Sequence, residues 1–180
     1  MSTQLQNDIS IDNENKFNNL LIDDITSETI DLEVVEVTEV EKIQDPLHSA
    51  WSLWSHECNE RNWRIESFSV IVKFNTIENF WKTYNNFGSI GGLGCRDYFL
   101  MREGILPIWE DPSNKNGKVW SVQIPISYIN NVWTELSMAL IGEYLIDEMG
   151  VINGLSIASK DNCFIIKIWV KTTGAVFRAD

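Results

Sequence analysis

The 180-residue chain predicts an α+β fold, an antiparallel sheet with its helices gathered on one face. Three observations carry this. Strand-like and helix-like segments alternate without the regular β-α-β spacing of a parallel sheet. The connections between strand-like segments are short hairpin turns, "REG" at 102–104 and "KDN" at 160–162. Hydrophobic residues make up 44% of the chain, enough to cover such a sheet.

The folded part starts near Pro46, after an arm spanning 1–45. "AWSLWS" (50–55) sets Trp51 and Leu53 against Ser52, with Trp54 following, and reads as a short strand. "RIESFSVIVKF" (64–74) alternates Ile65, Phe68, Val70 and Val72 imperfectly and gives a second. In "NTIENFWKTYNNFG" (75–88), Thr76 can cap a helix, with Asn79 at the third helical position. Ile77, Phe80, Trp81 and Tyr84 follow at helical spacing until Gly88. "GSIGGLG" reads as a flexible loop. "RDYFLM" (96–101) and "GILPIWE" (104–110) read as strands, "DPSNKNG" as a polar loop, and "KVWSVQI" (118–124) as a strand stopped by Pro125. "SYINNVWTELSMALIGEYLID" (127–147) is the longest helical segment. Ser127 can cap it, and Ile129, Val132, Trp133, Leu136, Leu140, Tyr144 and Leu145 form one stripe. "GLSIAS" and "CFIIKIWVK" close the sheet as two more strands.

Charge divides the chain. Residues 1–50 hold twelve acids against two bases, whereas the remainder is close to neutral. The arm therefore owns most of the net charge of −12. Such a segment buries too little apolar surface to offset its ordering entropy and is expected to be disordered. With the arm set aside, the domain at 46–180 is close to neutral, with fourteen acids against twelve bases, which removes most of the objection to nucleic acid.

Chemistry-bearing motifs narrow the function. There is no G-x-S-x-G, P-loop or H-E-x-x-H, and the two histidines, His48 and His56, have no nucleophile motif near them. An enzyme is not expected, nor a metal or cofactor. Cys58, Cys95 and Cys163 are odd in number, without a C-x-x-C pair, as in a reduced cytosolic protein. No stretch approaches a membrane span. What the chain has in quantity is tryptophan, eight of them between Trp51 and Trp169. Exposed tryptophan stacks on flat rings and attracts a cation to its face. Two such faces suit one flat, positively charged ring, and a carboxylate beside them suits that ring's N–H edge. Trp63 and the pair Trp109–Glu110 supply such parts; core packing is the alternative for each tryptophan.

The segments "WSLW", "NWRIESFSVIVKFNTIENFWKTYN", "DYFL", "GILPIWED", "NKNGKVW" and "WTELSMALIGE", in that order, resemble the eukaryotic translation initiation factor 4E family over roughly residues 46–170. The resemblance implies a curved antiparallel sheet whose concave face takes the 7-methylguanosine cap of messenger RNA, backed by helices on the convex face. It implies Trp63 and Trp109 as the sandwiching pair, Glu110 as the acceptor for the guanine edge, and Trp169 against the N7-methyl. Lys160 matches one phosphate-binding position. Lys118 lies one residue before the expected basic position, Val119, while Asn162 and Ile165 stand at two others. On the convex face, Pro46, Ile77, Trp81, Glu135 and Met138 match a groove for a helix of pattern Y-x-x-x-x-L-apolar, carried by an initiation scaffold or a repressor. Asp45 and Thr134 depart from that groove. A cytoplasmic, monomeric cap-binding factor is the function implied. The alternative is a family-derived interaction module or repressor with weakened cap binding.

Overall fold

The computed structural model describes residues 44–175 and Phe177. The acidic arm expected at 1–45 falls almost entirely outside the described residues. Six strands form one sheet: β1 (Pro46–Glu57), β2 (Phe68–Thr76), β3 (Arg96–Arg102), β4 (Lys118–Pro125), β5 (Ile152–Lys160) and β6 (Cys163–Val170). Their order across the sheet is β2-β1-β3-β5-β6-β4, and every pairing is antiparallel. Among the described residues, three α-helices accompany it: α1 (Ile77–Asn85), the single turn α2 (Pro112–Lys115) and α3 (Ile129–Ile141). The predicted α+β class is the observed one.

Side chains alternate across a strand, so each strand contributes to both faces of the sheet. On the convex face, Trp51, Leu53, Phe74, Tyr98, Leu100, Leu155 and Ile166 are buried beneath α1 and α3, which add Phe80, Ile129, Trp133 and Leu140. The concave face carries a smaller apolar layer of Phe68, Phe99, Met101 and Trp169. Fully burying one such side chain is worth about 1.5–3 kcal/mol. Gly154 allows β5 to pass tightly against β3, because a Cβ there would lie 2.5 Å from the Leu100 carbonyl oxygen. At the end of β3, Arg102 donates to Glu143 Oε1 at 2.7 Å and to the Ile152 carbonyl, with its guanidinium 4.6 Å from the centroid of the Trp51 ring. This fixes the point from which the chain leaves for Trp109.

Five local expectations are corrected. "DPSNKNG" is not a plain loop, because Asp111 caps the helical turn α2 inside it. "GILPIWE" is not a strand but a run of turns and bends. Its backbone groups are claimed by side chains instead of a neighbouring strand: Asp111 accepts from the Leu106 N–H at 2.9 Å, and Asn114 Nδ2 donates to the carbonyls of Leu106 and Ile108. The "RIES" stretch gives a 3-10 turn at Ile65–Ser67, and β2 begins only at Phe68. Ser127 caps nothing, because a 3-10 turn at Ile126–Tyr128 runs directly into α3 and leaves no extended cap residue. Finally, α3 stops at Ile141, where Gly142 follows and Glu143 takes a positive φ of 58°. Tyr144 thus leaves the stripe and is exposed. By contrast, Thr76 does cap α1, its hydroxyl accepting from the Asn79 N–H at 3.3 Å.

Candidate ligand cleft and partner surface

Two segments bring tryptophan to the concave face. The first is the loop after β1. Glu60 Oε1 accepts from the Asn62 N–H at 2.7 Å, and Asn62 Oδ1 accepts from the Arg64 N–H at 3.1 Å. The Asn62 carbonyl accepts from Ser67 Oγ at 2.6 Å and lies 2.9 Å from His56 Nε2. These bonds leave Trp63 lying flat on the His56 ring, centroids 4.2 Å apart and 15° from parallel. Its outer face is open, and the residue is 54% exposed.

The second segment is the turn at 105–111. Asp111, buried, accepts from the backbone N–H groups of Leu106 and Ser113, so it closes the turn and caps α2 together. Asn153 on β5 donates to the Ser113 carbonyl and to Asn114 Oδ1, which pins α2 to the sheet. Trp109 then rests on Trp169, centroids 4.6 Å apart, and is 49% exposed. Trp169 is 4% exposed, and its indole N–H donates to Ser156 Oγ at 3.0 Å. Glu110 is exposed and has no hydrogen-bond or ion-pair partner among the described residues.

Trp63, Trp109, Glu110 and Trp169 line one cleft of about 310 Å³. That size and its mostly aromatic, apolar wall suit a small flat ligand held by a few polar groups. Asp97, Lys167 and Ser156 supply polar groups to the wall. Burial pushes the Asp97 carboxyl above the usual carboxylate range, while His56, the Ser159 backbone N–H, the Cys58 thiol and Lys167 pull it back.

Neither of the two lysines expected at the phosphates lines the cleft. Lys118 points away from the cleft, its Nζ 4.7 Å from the centroid of the Trp120 ring. The pairing of β4 with β6 runs from Lys118 to Pro125 without a bulge, so Val119, opposite Trp169, keeps the concave position. Lys160 is exposed at the end of β5 and is not among the residues lining the cleft. Ile165 does line it.

On the convex face, the adjacent rings Phe80 and Trp81 diverge. Phe80 is buried against Phe74, whereas Trp81 is 38% exposed. Ile77, one turn before Trp81, is also exposed, as are Glu135 and Met138 on α3. The Tyr84 and Thr134 hydroxyls bond to each other and tie the two helices together. Pro46 is exposed and pairs with Thr76 at the start of β1.

The sequence profile of eukaryotic initiation factor 4E matches residues 46–177. The chain belongs to that family. Eukaryotic translation initiation factor 4E-3 of Caenorhabditis elegans is 35% identical over 113 residues, covering 58% of this chain and 45% of the relative. The factor 4E of Dictyostelium discoideum is 34% identical over 136 residues, covering 72% and 54%. That of Homo sapiens is 33% identical over 133 residues, covering 71% and 61%. The chain thus spans about half of the length of these curated relatives. Among solved structures, the Caenorhabditis elegans 4E-3 complex with the 4E-binding protein Mextli and a cap analog superposes with a TM-score of 0.66 at 32% identity, covering 73% of this chain and 76% of that one. The Ascaris suum 4E-3 complex with the m7G cap gives 0.66 at 29% identity, with the same coverage.

Against the 4E pattern, the residues that sequence reasoning missed are His56, Asp97, Ser156 and Lys167. A usable signal existed for one of them. Lys167 lies two residues before Trp169, so it shares the concave face with an aromatic already singled out. His56 stacking on Trp63 had no such signal, since the loop conformation decides it.

Proposed function

We propose that this 4E-family chain binds the 7-methylguanosine cap of messenger RNA in the concave cleft, and recruits a scaffold or repressor helix on the convex face for translation initiation. The observation that carries the reading is a pair of half-exposed tryptophans from separate segments, each backed by another ring, opening into one cleft beside an unpartnered carboxylate. Methylation at N7 makes guanine cationic, and a cation over an indole face gains about 0.5–2 kcal/mol. Glu110 accepts from guanine N1–H and the 2-amino group; bonds to a charged acceptor contribute about 1.5–3 kcal/mol. Adenine would leave that carboxylate unmatched. Trp169 backs Trp109 and borders the space for the N7-methyl. Lys167, half-buried on β6, is the lysine positioned to meet the phosphates, with Lys118 and Lys160 further out.

The convex proposal rests on Ile77, Trp81 and Met138, exposed apolar side chains on two helices joined by a hydroxyl bond. Pro46 and Glu135 border them. The solved relative bound to Mextli has both a cap analog and a 4E-binding protein. A cap-binding domain at 46–180, an acidic arm before it and a cytoplasmic setting complete the proposal. Among the described residues, no helix is long and apolar enough to cross a membrane.

Titration with 7-methyl-GTP and with GTP tests the reading: binding of the methylated nucleotide with strong preference is expected. No retention on a 7-methyl-GTP resin would sink it. A second reading, an interaction module with weakened cap binding, is favoured by Val119 and Ile165 standing where basic residues were expected. Intact affinity for a Y-x-x-x-x-L-apolar peptide without cap affinity would select it.

A further inference from the structure

Behind Trp63 lies a side chain that the cap reading leaves without a role. His56 is 1% exposed, and its ring covers the inner face of the indole at 4.2 Å. Its Nε2 faces the Asn62 carbonyl at 2.9 Å. A carbonyl only accepts, so Nε2 carries a proton. In the neutral ring Nδ1 is then a bare lone pair, and it is buried with no partner among the described residues.

The surroundings of His56 contain few charges. Asp97 of β3 is its cross-strand neighbour and the carboxylate that faces it. Lys167 of β6 acts on Asp97 from the cleft side, and the Cys58 thiol donates to Asp97 Oδ1 at 3.9 Å. From β2 comes only Phe68, its ring 4.7 Å away. The loop presents Trp63 and the Asn62 carbonyl, neither ionisable. Glu57, next on β1, is paired with Arg96 at 2.7 Å.

Resting on the cap-binding reading, we propose that His56 determines how strongly the cleft prefers a cationic base over a neutral one. In its neutral form the imidazole is a flat plate that fixes Trp63 through the Asn62 carbonyl. A second proton would go to Nδ1, where no acceptor waits, and would place a positive charge against the inner face of the indole. The outer face of the same indole has to attract the positive ring of 7-methylguanine. Two cations on opposite faces of one ring draw on the same π density and repel each other across it. Unmethylated guanine, neutral, is spared that repulsion.

The test is the ratio of 7-methyl-GTP to GTP affinity at pH 7.0 and pH 5.5, read by tryptophan fluorescence, for wild type, His56→Phe and His56→Gln. Both nucleotides carry the same triphosphate, so its titration cancels in the ratio; the N1 proton of 7-methylguanine and the Asp97 carboxyl do not cancel there, but they are common to wild type and variants, so the comparison between proteins removes them. The wild-type ratio is expected to fall by about 5–10-fold on acidification. In His56→Phe the change is several-fold smaller, because the plate remains and cannot charge. In His56→Gln it is likewise smaller, with weaker 7-methyl-GTP binding at both pH values, because a donor to Asn62 remains and the plate is gone. A flat wild-type ratio, or an equal fall in the variants, overturns the inference. If one variant does not fold, the other decides by the same comparison. Failure of the wild type to bind 7-methyl-GTP at either pH overturns the cap reading instead.

Discussion

Tryptophan is presented differently on the two faces of the sheet. Trp81 on the convex side stands on a regular helix, one position after the buried Phe80, and its exposure follows from helical geometry alone. Trp63 and Trp109 on the concave side stand on irregular chain. Each is held from behind by a ring, His56 or Trp169, and from below by buried polar bonds. The difference teaches that a helix positions a contact residue through its own backbone bonds, whereas a loop borrows rigidity from the sheet beneath it. Separate effects on the two faces are the consequence.

The largest expected separation comes from Trp109→Ala. Loss of 7-methyl-GTP affinity by about 100-fold, near 3 kcal/mol, is expected in fluorescence titration, since a stacking face and its cation–π attraction go together. Thermal stability and peptide binding should barely move, because the ring is half exposed. The mirror experiment is Trp81→Ala. A helical Y-x-x-x-x-L-apolar peptide should lose about 2 kcal/mol or more of binding in calorimetry, as buried aromatic anchors do, with cap affinity unchanged. If both variants weakened both ligands, the independence of the faces would be wrong.

Asp111→Ala probes the support beneath the loop. Two charge-assisted bonds disappear, to Leu106 and Ser113. A stability cost of about 1–3 kcal/mol in urea unfolding is expected, together with weaker cap binding although Asp111 never touches ligand. Lys167→Ala should lower affinity for 7-methyl-GTP several-fold and flatten its salt dependence, leaving the nucleoside 7-methylguanosine nearly unaffected. The smallest effect belongs to Asp97. Burial raises its carboxyl in the folded state, so the folded protein holds that proton more tightly than the unfolded chain. Stability therefore falls as pH rises from the ordinary carboxylate range through the raised value. Asp97→Asn should raise the melting temperature slightly at pH 7, and the gain should vanish as pH drops below that range.

Much of the convex side was legible in the sequence. The cap at Thr76, the spacing of Ile77, Phe80, Trp81 and Tyr84, and the first part of the α3 stripe express local rules that need no distant partner. The cleft residues Trp63, Trp109 and Glu110 were legible as suitable parts from their chemistry, and only the ordered resemblance grouped them into one site. Periodicity mistook "GILPIWE" for a strand because its apolar residues do pack on the sheet, while the bonds that bend it come from Asp111 and Asn114 further along. The same limit hid His56 beneath Trp63 and Lys167 in the cleft wall, whose positions depend on loop conformation and strand register.

By itself, then, the sequence determined the α+β class, the division of charge between an acidic first fifty residues and a near-neutral remainder, and the stock of aromatic and acidic groups suited to a flat cation. Composition and local spacing suffice for these, because they reflect backbone preference and hydrophobic period. Only the tertiary structure decided which rings back Trp63 and Trp109, that Lys167 and not Lys118 enters the cleft, and that an imidazole lies beneath the stacking face. Those are contacts between residues far apart in the chain or across loops, and strand pairing together with buried polar bonds sets them.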